Sequence, residues 1–422
     1  MALLTLFCLS VSISDSDPLV TQELVDSINN DPRSSFKATL YPKFAKMTVG
    51  DAKKFLSPVR RSANNKGSAV PVGANENFFN PLDRQVVTGI SQLKQYGSDG
   101  THKFAFSSPP ANYYEWLQFP VYDASMLCSS WAPAVTSAMS ISVSRWNTRF
   151  VNYSLQFVLD CDLLGDACIE RTPLSAYRLF WKTSIPQYSQ WDRAEAGYSE
   201  RTHPMHAPRA GLDLTANGRC LSRNGMYPGM TASVRDWALT GSCEPGDPET
   251  NCPVYFLYNW RWIKSHLWEV GAVTSSVLVT PAFFTYNTGV YTMVTGESVI
   301  GMLDVTIFGW GQERVNLSVD SASHTTTKNR WWWVIPHLGC DFGLDVSQIN
   351  ATDTFTNTSI FYGLGVGAGN FKTTGSNCSS QTKGIMKFNR RFDDSNIESH
   401  AVGAVPFNFV PLPVRTPQIT SG

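Results

Sequence analysis

Cys128-Ser129-Ser130-Trp131-Ala132-Pro133-Ala134-Val135-Thr136-Ser137-Ala138-Met139 is the stretch on which the reading of this chain turns. Small residues come first, and Ala, Val, Met and Ile then recur through Ile141 and Val143. That pattern predicts a buried, close-packed helix over about 130–146, with Ser129 or Ser130 as its N-terminal cap.

Working outward, 422 residues allow two or three domains and one large core. Lys+Arg and Asp+Glu balance at 34 each, which excludes a global charge suited to nucleic acid or an anionic membrane. Aromatic residues, Gly and Pro are frequent, as in a loop-rich α+β protein. Met1 to Ser14 carries an apolar run, Ala2 to Leu9, followed by small polar residues, and reads as a signal peptide. No other stretch approaches the ~20 apolar residues needed to span a bilayer. Cys8 would leave with the signal. The remaining Cys128, Cys161, Cys168, Cys220, Cys243, Cys252, Cys340 and Cys378 are an even, dispersed set without zinc-like CxxC spacing, and suit disulfides in an oxidising compartment. Sequons at Asn152, Asn316, Asn350, Asn357 and Asn377 point the same way. His203 and His206 form a lone His-x-x-His in a polar region and read as solvated surface, with no metal and no cofactor expected.

The Trp131-Ala132 pair after a serine-rich turn resembles the start of the central helix in papain-family cysteine peptidases, and further pieces follow in order. Leu24-Val25-Asp26-Ser27-Ile28-Asn29, Phe36-Lys37-Ala38 and Met47 to Leu56 resemble a cathepsin B-like pro-region: a short amphipathic helix and an aromatic plug. Tyr153 to Cys161 resembles a Ser-x-Gln-x-Leu-x-x-Cys element. Phe283 to Tyr291, then Val305-Thr306-Ile307-Phe308-Gly309-Trp310-Gly311, resemble cathepsin B strands. Trp331 to Ile335 reads as a strand, and Gly384 to Phe388 with Val402 to Pro406 as the last ones. The resemblance implies an α+β, two-lobed papain-like fold, with a helical lobe, a β-barrel lobe and an N-terminal pro-region. The expected division is 1–14 signal peptide, 15–59 pro-region, 60–108 polar linker, 109–406 peptidase domain and 407–422 tail. Insertions at about 313–329 and 344–382, rich in Ser, Thr and Asn, are expected to be glycosylated surface loops.

A papain-type site needs a thiolate, an imidazole paired with it, an amide that orients the imidazole, and donors for the oxyanion. Carried over residue by residue, the nucleophile position is Ser130. Six residues before Gly309, the imidazole position is Leu303. The orienting amide falls at Pro336, and the oxyanion glutamine, seven residues before Trp131, at Ala124. The shielding tryptophan falls at Leu338, and the paired glycines that meet a substrate backbone fall at Glu170 and Arg171. With Trp131, these residues line the expected cleft. Leu303 cannot take a proton, and loss of a nucleophile–base unit costs about 10⁶ in rate in a serine peptidase.

Two stray groups stand nearby. Cys128 lies one residue from a cysteine that the family bridges to the cysteine at Cys168, so the resemblance implies that disulfide. It further implies pairing of Cys340 with Cys378, and of Cys161, Cys220, Cys243 and Cys252 among themselves. His400-Ala401-Val402 imitates the family's histidine strand out of order, and His337 is an imidazole beside Pro336. The expectation is a secreted, catalytically inactive protein, extracellular or in a lysosome-like compartment. It would bind a peptide or protein ligand, carry its own pro-region in the cleft, and have neither a nucleic-acid partner nor a membrane span. The alternatives are a peptidase using Ser130 or Cys128 with an unorthodox base, and a structural matrix glycoprotein.

Overall fold

The computed structural model describes residues 13–58, 118–127, 129–147, 152–160, 172–174, 176–177, 180, 185–186, 231–239, 260, 263, 266–267, 270–294, 296–319, 322–345, 359–362, 372–374, 383–390 and 395–407. The proposed signal peptide up to residue 12, the whole 60–108 linker and the tail from 408 lie outside the described residues.

The N-terminal segment opens with α1 (Gln22–Asn30), started by the Thr21 hydroxyl, which accepts from the Leu24 N–H at 3.2 Å. Val25 and Ile28, one turn apart, are its buried face. β1 (Phe36–Ala38) follows, then two short helices, α2 (Pro42–Ala45) and α3 (Val49–Lys53).

Beyond the linker come β2 (Gln118–Pro120) and the predicted central helix, α4 (Trp131–Asn147). Its Trp131, Val135 and Met139, four residues apart, enter a helical-lobe core with Tyr153, Leu155, Val158, Tyr177 and Phe180. Ala138 and Ile141 on another face enter the core of the sheet lobe. A helix used on both sides cannot be amphipathic, and three of its buried polar residues are hydroxyls satisfied within the helix. Thr136 donates to the Ala132 carbonyl, Ser140 to Thr136 and Ser144 to Ser140, at 2.6–2.8 Å. α5 (Leu155–Asp160) packs beside it.

The strands are β3 (Ile185–Pro186), β4 (Thr231–Leu239), β5 (Val273–Val279), β6 (Tyr286–Tyr291), β7 (Gly301–Val319), β8 (Ala322–Ile335), β9 (Ser359–Tyr362), β10 (Lys372–Thr374), β11 (Met386–Asn389) and β12 (Val402–Phe407). Ten strands form one sheet in the order β1-β6-β11-β8-β7-β5-β12-β4-β3, with β9 against β7, so the N-terminal segment supplies an edge strand. β10 pairs in parallel with β2. Where loops were expected, strands occur among the described residues. Residues 313–329 continue the β7–β8 ladder out to Val319 opposite Ala322, and the 344–382 stretch contributes β9 and β10. Alternating Val315, Leu317 and Val319, with the β-branched run Thr325–Thr327, favour an extended backbone over a loop.

No helix among the described residues is long and apolar enough to cross a membrane. Among the described residues no three His, Cys, Asp or Glu side chains gather as a metal site.

Candidate functional site

The start of α4 meets the middle of β7. Ser130 immediately precedes the helix, and its carbonyl accepts from the Ala134 N–H at 3.3 Å, which makes it the cap residue. Its side chain is turned to the sheet. The Ser130 hydroxyl donates to Asp304 Oδ2 at 3.2 Å and accepts from the Asp304 main-chain N–H at 3.0 Å. Asp304 Oδ1 accepts a further hydrogen bond from Ser276 on β5. All three residues are buried, with 1–2% exposure.

Two residues along β7, on the same strand face, Thr306 repeats the pattern. Its hydroxyl donates to the Ala134 carbonyl at 2.9 Å and lies 2.9 Å from His337 Nε2. A hydroxyl has one proton, already given to Ala134, so the imidazole must be the donor in the second contact. His337 Nδ1 in turn accepts from the Tyr122 N–H at 3.4 Å. This network assigns the neutral Nε2–H tautomer. Burial agrees, pushing the His337 pKa down to about 3. The ring is held by a backbone with φ +55, unusual for a non-glycine residue, and its carbonyl accepts from Ala124 N–H at 2.7 Å.

The Ser130 hydroxyl thus bonds to Asp304, the neighbour of Leu303, and Leu303 itself is buried in the sheet-lobe core. Asp304, Ser276 and Thr306 were not singled out in the sequence, because Ser276 meets Asp304 only through the β5–β7 ladder and no local pattern marks that pairing. His337, the imidazole beside Pro336, is brought by the fold to Thr306.

The other expected site residues are spread around this seam. Ala124, in a short helical turn, and Leu338 are fully buried, and Asp123 forms a β-bridge with Leu338. Pro336 directly follows β8. Trp131 is buried in the helical-lobe core. His400 sits in the turn before β12, Nδ1 3.4 Å from the Asn396 carbonyl. Cys340 is disulfide-bonded. Asn152 is half-buried and accepts from the Tyr122 hydroxyl at 3.3 Å. Glu170, Arg171, Cys128, Cys161, Cys168, Cys220, Cys243, Cys252, Cys378, Asn350, Asn357, Asn377, His203 and His206 lie outside the described residues, and Asn316 lies on β7.

The family description "Papain family cysteine protease" matches residues 119–335, from β2 through α4 to the end of β8. The chain belongs to the papain family. The match includes Ser130, Asp304, Thr306 and Ser276, so the bridge sits inside the papain-family domain. Among solved structures the papain-family chain is similar to proCathepsin B S9 from Trypanosoma congolense, at 16% identity and a TM-score of 0.48, covering 92% of this chain and 99% of that one. It is similar to digestive procathepsin L 3 of Tenebrio molitor larval midgut, at 12% identity and a TM-score of 0.49, covering 90% and 86%. It is also similar to the ragweed pollen allergen Amb a 11 cysteine protease in its proform, at 13% identity and a TM-score of 0.46, covering 91% and 84%.

Chemically, the seam holds hydroxyls, a carboxylate and a neutral imidazole; the imidazole bonds to the Thr306 hydroxyl, while the Ser130 hydroxyl bonds to Asp304. The Ser130 proton is directed at a carboxylate. Carboxylates ordinarily titrate near 4, far below the range of an effective general base at neutral pH.

Proposed function

We propose that this chain is a catalytically inactive, cathepsin B-like member of the papain family, exported and glycosylated, that acts by binding a peptide or protein. One observation carries the reading: the hydroxyl at the nucleophile position is buried in a bridge to Asp304 and has no imidazole partner among the described residues. Replacement of a thiol by Ser130, of the oxyanion amide by Ala124 and of the orienting amide by Pro336 supports it. The dispersed cysteines and the sequons support passage through an oxidising compartment.

The test is hydrolysis of fluorogenic dipeptide substrates by the purified chain, alongside a thiol-directed activity probe. No turnover and no labelling are expected. Turnover near the ~10 per second median of ordinary enzymes would sink the proposal.

A second reading is favoured by the same contact. Ser130 Oγ lies 3.2 Å from Asp304 Oδ2, near hydroxyl-to-base range, as a serine nucleophile with a carboxylate base would require. Burial of both groups and the missing oxyanion amide argue against it. Labelling of Ser130 by a fluorophosphonate, abolished in Asp304→Asn, would establish the serine peptidase and remove the inactive reading.

A further inference from the structure

We infer that residues 13–58 are a constitutive layer of the sheet lobe, one cooperative unit with it, and not a detachable plug. The argument starts where β8 stops. Pro336 has no N–H and cannot extend the ladder, so β8 leaves β7 at the Thr306–Ile335 pair. Upstream of that point β7 keeps β5 on one flank. On the other, Ser57 pairs antiparallel with Met302, through Ser57 N–H to the Met302 carbonyl at 2.8 Å and Met302 N–H to the Ser57 carbonyl at 2.7 Å. This pairing lies two residues from Asp304. The flank of β7 that leads to the Ser130 bridge is therefore completed by the chain's own N-terminal segment.

The body is cut to fit that segment at two glycines. A Cβ on Gly301 would stand 2.9 Å from Leu56 Cβ and 3.1 Å from the Ser57 carbonyl. Gly289, at φ +93, would place a Cβ 2.5 Å from the Ser35 carbonyl and 2.8 Å from Phe36 Cα. Elsewhere the segment supplies groups that the body uses inside its core. The Tyr41 hydroxyl donates to the Tyr286 carbonyl at 2.8 Å and accepts from Gly343 N–H at 2.9 Å. Lys43 Nζ joins Asp123 at 3.0 Å and Asp341 at 3.5 Å, and also meets the Leu338 carbonyl. Phe44 packs on Phe284 and Phe342, and Phe36 on Tyr291, within one continuous cluster that runs from Leu19 to Ala401.

Withdrawal would leave these buried main-chain groups without partners and open that cluster to water. A layer attached in this way should open only when the sheet opens. The strip of β7 beside Asp304 would then never be offered to a peptide, and a ligand would have to use another face. This inference does not depend on the loss of peptidase activity.

Native-state amide hydrogen exchange on the full chain, at pH 7 and at pH 4.5, tests it. The amides of Thr39, Ser57, Val290 and Met302 should exchange within about tenfold of the central β7 amide of Ile307, as members of one unit do. Exchange of these four amides more than about a hundredfold faster than Ile307, at either pH, would show a separately opening segment and overturn the inference. Gly301→Val gives a second readout. It should lower protection of the four amides and of Ile307 together; loss confined to the four, with Ile307 unchanged, would mean that the segment detaches from an intact lobe.

Discussion

At the scale of single residues, the Ser130 hydroxyl already has both a carboxylate to donate to and an N–H to accept from. Ser130→Ala should therefore cost about 1–3 kcal/mol, because it removes two hydrogen bonds from buried groups of Asp304. Urea unfolding measures it, and an unchanged midpoint would mean that the bridge is idle. Restoring a triad by sequence position, with Ser130→Cys, Leu303→His and Pro336→Asn, should yield no turnover of a fluorogenic dipeptide. His at 303 would enter the sheet-lobe core, while Asp304 would still face the new thiol. Turnover in that triple variant would show that Leu303, and not Asp304, faces the cleft.

His337 makes a pH prediction with a definite sign. Its folded pKa is about 3 and the unfolded value is near 6.5, so the unfolded chain binds the extra proton between them. The contribution is complete above pH 6.5 and is lost as pH falls through 3, at about 1.4 kcal/mol per pH unit for one proton. Protonated Nδ1 would also face the Tyr122 N–H, donor against donor. Stability measured from pH 7 to 4 should fall less steeply in His337→Gln than in the unsubstituted chain. Identical slopes would refute the assigned neutral ring.

At the scale of elements, α3 shows how a five-residue helix can matter. Thr48 and Asp51 form a capping box: Thr48 Oγ1 accepts from Asp51 N–H at 3.1 Å and Asp51 Oδ2 from Thr48 N–H at 3.1 Å. The cap orients the turn that delivers Phe55 and Leu56 to the sheet. Thr48→Ala should cost about 0.5–2 kcal/mol. The loss should appear in the thermal unfolding of the whole lobe, and a change confined to local exchange in 48–54 would argue for an independent element. The central helix was legible because small and apolar residues recur at helical spacing on more than one face. The β7–β8 arm was not, because Ser, Thr and Asn dominate its composition and obscure the strand alternation beneath.

For the whole molecule, the C-terminal segment is tied back to the tryptophan strand by buried charged side chains. Trp332 Nε1 donates to Glu398 Oε1 at 2.9 Å, and the Arg390 guanidinium lies over Trp332 at 5.4 Å and over Trp260 at 5.3 Å. Burial lowers the Arg390 pKa to about 10, while the Glu398 charge acts in the opposite sense. Glu398→Ala should be destabilising by about 1–3 kcal/mol, since it leaves the buried Trp332 N–H without its acceptor and removes a charge that favours the buried Arg390 cation, whereas Glu398→Leu with Arg390→Met should recover much of that loss. Chemical denaturation of the two variants decides it, and equal losses would show that packing, not charge, holds the segment.

The amino-acid sequence by itself determined the buried helix at Trp131, the papain-like lobes around it and the order of the N-terminal pieces. Each of these is a local pattern: a periodicity, a cap, a run of aromatic residues. It also determined that no thiol stands at position 130, no imidazole at 303 and no amide at 124 or 336. What replaced them was decided by tertiary structure. Ser130 and Asp304 are 174 residues apart, and their meeting depends on strand parity, which is set by the pairing of β7 with β5. Thr306 and His337 meet only because β8 returns alongside β7 and the chain then turns at Pro336. A side chain's type is written in the sequence, but which face of a strand it takes depends on the ladder, and the ladder is a property of the folded sheet.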